Sequence, residues 1–160
     1  MVELEVLQGV SLLRGLNPEQ VAKVQALSNL REHTAGEVLF KEGQKADLLR
    51  FLISGEVDLR FDLPMRETSK ATTVTTIKPG KSMGFSALVE PHRYALSGYC
   101  TSDRCTLVEV LGKELRKVMD EDAGIGYVIM DNLARVISKR FRAMQEEVVQ
   151  REGYDILMQW

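Results

Sequence analysis

Apolar positions change their period twice along this chain of 160 residues. Between residues 3 and 27 they fall at helical spacing. Leu4 and Leu7 open a short first helix, and Val21, Val24 and Leu27, widened by Ala22 and Ala26, form one stripe. Asn17-Pro18-Glu19-Gln20 marks the start of the second helix: Asn caps, Pro takes the first helical position, and Gln lies three residues beyond the cap. From Asn29 to Val110 the texture changes. Glu37–Phe40, Leu48–Ser54, Glu56–Phe61, Thr72–Ile77, Arg93–Thr101 and Cys105–Val110 are short runs rich in β-branched and aromatic residues, separated by Gly36, Gly43, Gly55, Gly80 and Gly84. Many short strands with glycine turns predict a sandwich or barrel rather than a parallel sheet. Residues 62–71, with Pro64, read as an exposed hairpin loop.

Helical spacing returns near Gly112, where Leu115, Val118 and Met119 share a face. A longer helix is predicted from Ile125 to about Gln150. Met130, Leu133, Ile137, Phe141, Met144 and Val148 recur there at about 3.6 residues, the period of a straight helix with one apolar stripe. Gly153 ends the pattern, and an apolar tail follows. The chain thus divides into an N-terminal helical segment (1–28), a β region (29–110), C-terminal helices (111–152) and the tail (153–160).

Composition narrows the class. With 44% hydrophobic and 28% charged residues, the chain suits one domain with an appended helix. A net charge of -2 gives no footprint of a nucleic-acid binder. Cys100 and Cys105 have the spacing neither of a disulfide framework nor of a metal knuckle, so two free thiols in neighbouring strands are expected. His33 and His92 stand outside any His-x-His cluster, so no metal site is expected. The N-terminus is acidic where a signal would be basic, and no apolar run approaches the ~20 residues that span a bilayer. A cytoplasmic protein is expected.

The chemistry concentrates in Gly84–Ala95. A glycine and small residues open a possible helical turn, and Arg93 follows at the entry to a predicted strand. Backbone N–H groups at a helix start favour an anion, and a guanidinium grips phosphate oxygens through two donors. The local alternative for Arg93 is a pair with a carboxylate such as Glu90.

Gly36-Glu37-Val38-Leu39-Phe40-Lys41-Glu42-Gly43, then Asp47, then Phe51-Leu52-Ile53-Ser54-Gly55-Glu56-Val57, with Pro79-Gly80 and Gly84–Ala95 in the same order, resembles the cyclic nucleotide-binding domain family. This module occurs in bacterial catabolite activator proteins, protein kinase A regulatory subunits and some ion channels. The resemblance covers roughly residues 15–150. It implies a mainly β fold with flanking helices: a double-stranded jelly roll with N-terminal helices and a long C-terminal helix. It also implies a phosphate-binding cassette in which Gly84, Ala87, Leu88, Arg93 and Ala95 match the family pattern. Arg93 would neutralise a cyclic phosphate, helped by backbone N–H groups near Ser86–Leu88. The family's glutamate, which accepts from the ribose 2′-hydroxyl, is replaced by Phe85, and Tyr94 is bulkier than the usual residue. Losing a hydrogen bond to a charged group, ~1.5–3 kcal/mol, would weaken sugar recognition roughly ten- to a hundredfold. Phe85 then either stacks on a ligand or plugs apolar space.

The resemblance makes cyclic AMP or cyclic GMP the expected effector, with no other cofactor. Arg140 becomes a candidate contact to the base, and Tyr154 and Trp160 candidate lid residues. The apolar face of the long helix predicts a homodimer. No helix-turn-helix is expected after residue 150, hence no direct DNA binding; nor does any nucleophile–base pair suggest an enzyme. Two readings remain. In one, the chain is a stand-alone sensor that signals through its C-terminal helix to a partner protein. In the other, it is a degenerate module for dimerisation or scaffolding.

Overall fold

Asn17 caps the second helix as its sequence predicts. Its side chain accepts from the Gln20 N–H at 2.9 Å, and Gln20 reaches back to the Asn17 N–H at 3.1 Å. The computed structural model describes residues 1–62, 65 and 68–158, except for the side chains of 154–157. Its helices are α1 (Leu4–Gln8), α2 (Pro18–Gln25), α3 (Gly112–Glu121) and α4 (Ala123–Met158). Its strands are β1 (Ser28–Thr34), β2 (Val38–Phe40), β3 (Leu48–Ser54), β4 (Val57–Arg60), β5 (Thr73–Ile77), β6 (Ser82–Met83), β7 (Ser97–Cys100) and β8 (Arg104–Leu111). They form two antiparallel four-stranded sheets, in the orders β1-β8-β3-β6 and β2-β7-β4-β5. This is the jelly-roll arrangement with helices at both ends.

Strand β3 explains the architecture. Its side chains alternate between two buried faces. Leu49 and Phe51 join Leu7, Leu12, Val24, Leu115, Ile125 and Ile129 in a core between the first sheet and the helices. Leu52 joins Val57, Leu59, Ile77, Met83 and Leu107 in a second core between the sheets. A strand buried on both faces reads as a continuous apolar run, and Leu48 to Ile53 does, apart from Arg50.

Several expectations are corrected. Strand β1 carries no apolar alternation because it is an exposed edge, and sequence periodicity passes over it. Strand β7 begins only at Ser97; before it, Arg93 makes a single bridge to Lys45. Helix α4 runs through Gly153 to Met158: a glycine costs an exposed helix only ~1 kcal/mol and does not end it by itself. Cys100 and Cys105 are not free thiols but a disulfide, with Cα atoms 6.2 Å apart. The link between β7 and β8 folds back between the sheets, and spacing alone does not reveal that return. Leu63, Pro64, Arg66 and Glu67 of the expected hairpin loop lie outside the described residues.

The outer face of the second sheet is polar yet buried. Asp58 accepts from Thr76 at 2.8 Å, Arg60 at 3.1 Å and Thr73 at 3.2 Å. Asp62 accepts from Ser97 at 2.6 Å and Tyr99 at 3.2 Å. Burial pushes the Asp58 carboxyl up, but the bonds from Thr76, Arg60 and Thr73 prevail and hold it below the ordinary value. The Ser97 bond leads in lowering Asp62. A carboxyl lowered in the folded state binds protons more readily when unfolded, where its pKa is ~3.9. Its stabilisation is therefore present above about pH 4 and lost as pH falls through the folded value. Thermal melts should show a plateau from neutral pH to about pH 5 and a decline below about pH 4. Asp58→Asn should flatten part of that decline; an unchanged acid limb in the variant would exclude Asp58 as a source.

Candidate functional site

Strand β6 delivers the chain into the cassette. Gly84 has φ of 81°, and a Cβ there would lie 2.7 Å from the Leu48 carbonyl oxygen. Glycine is required both for the left-handed turn and for the close approach. A 3-10 turn over Phe85–Ala87 follows, closed by Ala87 N–H to Gly84 O at 3.0 Å and Leu88 N–H to Phe85 O at 2.9 Å. Ala87 and Leu88 are buried, and Arg116 of α3 donates to the Leu88 carbonyl at 3.0 Å. The return passes through a cis Glu90–Pro91 bond to His92, whose Nδ1 donates to the Ser86 carbonyl at 2.9 Å and ties the two limbs together. His92 thus serves the loop, and His33 pairs with Glu37 at 2.7 Å. Among the described residues no cluster of His, Cys, Asp and Glu is placed to hold a metal.

Arg93 and Tyr94 then point in opposite directions. Arg93 is exposed. Its Nη1 donates to the Gly43 carbonyl at 2.9 Å, and among the described residues it pairs with no carboxylate, Glu90 included. The segment is pinned beneath it by Gly43 N–H to Tyr94 O and Ala46 N–H to His92 O, both 2.8 Å. Tyr94 is buried between the sheets. Its ring stacks on Phe40 with centroids 4.4 Å apart, and its hydroxyl donates to the Leu48 carbonyl at 3.0 Å. The same hydroxyl accepts from Arg50 Nη1 at 3.1 Å. Ala95, beyond it, is exposed.

Arg50, Glu109 and Phe40 escaped the sequence reading. Arg50 is buried inside the roll, pairs with Glu109 at 3.0 Å and lies 5.2 Å from the centre of the Phe40 ring. The one charged residue in an apolar strand was the available signal. Gly98 was the signal for Phe40, because a Cβ at Gly98 would come within 2.7 Å of that ring.

Phe85 packs against the core beneath the helices. Arg140 of α4 covers it, with the guanidinium 5.0 Å from the ring centre, and donates to the Ser82 carbonyl at 3.4 Å. Burial lowers the Arg140 pKa from its ordinary value. The side chain of Tyr154 and all of Trp160 lie outside the described residues. A groove of about 970 Å³ opens on the back of the cassette, between Leu88–His92 and α3, and it does not include Arg93.

The site is thus a glycine-turned cassette between two four-stranded sheets, with an exposed arginine at its exit that meets no carboxylate among the described residues. The sequence profile of the cyclic nucleotide-binding domain matches residues 30–122, and the chain belongs to that family. Among curated proteins it is 27% identical over 129 residues to glutaminase 1 of Bradyrhizobium diazoefficiens, covering 81% of this chain and 20% of that protein. It is 25% identical over 143 residues to the CRP-like cAMP-activated global transcriptional regulator of Mycobacterium tuberculosis, covering 86% of this chain and 58% of that protein. The chain therefore spans only part of these relatives. Among solved structures, a candidate cyclic nucleotide-binding protein from Geobacter metallireducens matches with TM-score 0.76 and 29% identity, over 88% of this chain and 99% of that one. The regulatory domain of Toxoplasma gondii PKA with cAMP has the same fold, with TM-score 0.62 and 21% identity, over 72% and 42% of the two chains. No helix among the described residues is long and apolar enough to cross a membrane.

Proposed function

We propose that this chain is a regulatory domain without catalytic activity that binds a cyclic nucleotide, cyclic AMP or cyclic GMP, at Gly84–Ala95. It passes the signal through α4 to a protein partner. The observation that carries this reading is Arg93: a guanidinium at the cassette exit, engaged only by the Gly43 carbonyl among the described residues. A cation left without a carboxylate is available to a phosphate. The cAMP-bound relative of the same fold supports the choice of ligand. Relatives in which this region forms a fifth of a glutaminase and 58% of a transcriptional regulator support a module that serves different outputs. The proposed compartment is the cytoplasm, with the Cys100–Cys105 bond buried away from small thiols. Direct DNA binding is not part of the proposal. Calorimetric titration with cyclic AMP and cyclic GMP, on the wild type and Arg93→Ala, tests it. Saturable binding that the substitution removes supports the proposal.

One observation favours the second reading. Tyr94, Phe40 and Arg50 already fill the space between the sheets beside the cassette. If neither nucleotide gives heat with the wild type, the chain is a scaffolding module plugged by its own aromatic residues.

Dimerisation is proposed under both readings. Ile137, Phe141, Met144 and Val148 of α4 are 48%, 60%, 49% and 57% exposed and follow the alternating four–three spacing of a coiled-coil seam. Sedimentation velocity at micromolar concentration should show a dimer, and Phe141→Glu a monomer with unchanged circular dichroism. A wild type that sediments as a monomer would remove this element.

A further inference from the structure

Arg140 occupies a singular place on α4. Every residue from Phe141 to Glu152 is exposed, whereas Arg140, just before them, is half-buried. The side chains one turn away on its own helix are Val136, Ile137, Ala143 and Met144, none of them a carboxylate. Other arginines of α4 pair along the helix instead: Arg135 with Asp131 at 3.1 Å, and Arg151 with Glu147. Deprived of such a neighbour, the Arg140 guanidinium turns onto the cassette. It lies 5.0 Å from the centre of Phe85 and 3.4 Å from the Ser82 carbonyl, on a strand 58 positions away in sequence. Phe85 meets it as the first residue after the left-handed Gly84, a turn whose geometry a side chain at that glycine would break.

We propose that Arg140 and Phe85 form a lock that clamps α4 to the cassette in the ligand-free domain. Cassette and helix then open as one unit, and a ligand entering beside Phe85 must displace the guanidinium. The physical basis is the π face of Phe85, which attracts a cation most strongly when water is excluded. The lock also accounts for an aromatic ring at this position: Phe85 grips the helix through Arg140. An exposed apolar seam begins at the clamp, so releasing it frees the part of α4 that carries Ile137, Phe141 and Met144.

Hydrogen exchange on the ligand-free full chain tests the lock without any nucleotide. Arg140→Ala and Phe85→Leu should each raise exchange about ten- to thirtyfold both at Ser82–Leu88 and at Val136–Met144, the protection a desolvated cation–π contact supplies. The double variant should exchange no faster than the single ones, and β1 and β8 should be unchanged in all three. Additive effects, or loosening confined to the substituted segment, would overturn the lock; equal loosening of β8 would reassign the contact to general stability.

A second arm rests on the nucleotide-binding reading. In that arm Phe85→Glu alone gains no preference for cyclic AMP over its 2′-deoxy form, because Arg140 captures the new carboxylate. Phe85→Glu with Arg140→Ala gains about tenfold, as one charge-assisted hydrogen bond would supply. A preference already present in Phe85→Glu alone counts against the lock. An absence of binding in every variant counts against the nucleotide reading, while the exchange experiment decides the lock.

Discussion

Arg93→Ala is expected to lower the affinity for cyclic AMP about ten- to a hundredfold, the loss of ~1.5–3 kcal/mol that one charge-assisted hydrogen bond contributes. The fold should be untouched, because Arg93 is exposed and contributes one bond, to the Gly43 carbonyl. The backbone bonds that place the segment, from Gly43, Ala46 and Tyr94, need no side chain at position 93. Arg93→Lys should recover only part of the loss, since an ammonium cannot reproduce the two-pronged grip of a guanidinium on a phosphate. Titration of both variants at equal salt checks this. A wild type that binds cyclic AMP beside an Arg93→Ala variant of equal affinity would move the ligand away from the cassette exit.

Tyr94→Ala should destabilise the domain by about 3–5 kcal/mol, as removal of a buried aromatic side chain does. The ring leaves a cavity against Phe40, and the hydroxyl leaves the Leu48 backbone and Arg50 without a partner they now share. Tyr94→Phe separates the two contributions. It keeps the ring stack and should cost only about 1–3 kcal/mol for the unmet polar groups. Urea unfolding measures both. Against a total stability of about 5–15 kcal/mol, the alanine variant should unfold at far lower urea. A loss below about 1 kcal/mol would mean that the roll closes over the missing ring, and the aromatic fill would no longer argue for a plugged pocket. If Tyr94→Ala gains cyclic AMP binding that the wild type lacks, Tyr94 is the plug and Arg93 a competent phosphate contact beside it.

Much of the scaffold was legible in the residues. The capping box at Asn17, the glycine turns, the apolar run of β3 and the stripe of α4 are all encoded within a few positions, and each appears where its pattern lies. The misses have physical causes. Strand β1 is an exposed edge and needs no apolar face, while β6 is two residues long. Gly153 weakens a helix without ending it, and the Cys100–Cys105 pair depends on a turn between sheets.

The cassette itself was legible as Gly84 followed by Arg93, including the replacement at Phe85. Its wiring was not. Tyr94 meets Leu48 across 46 positions, Arg140 meets Ser82 across 58, and Arg50 meets Glu109 across 59. The sequence by itself determined most of the elements, their order, the family and the residue types of the cassette, because backbone propensity and apolar period act over short spans. Only the tertiary structure decided that Tyr94 turns inward, that Arg93 stays outside on a carbonyl, and that Arg140 spends its charge on Phe85. Those orientations belong to an irregular loop with no period of its own. The groups that capture each side chain come from strands and helices distant along the chain.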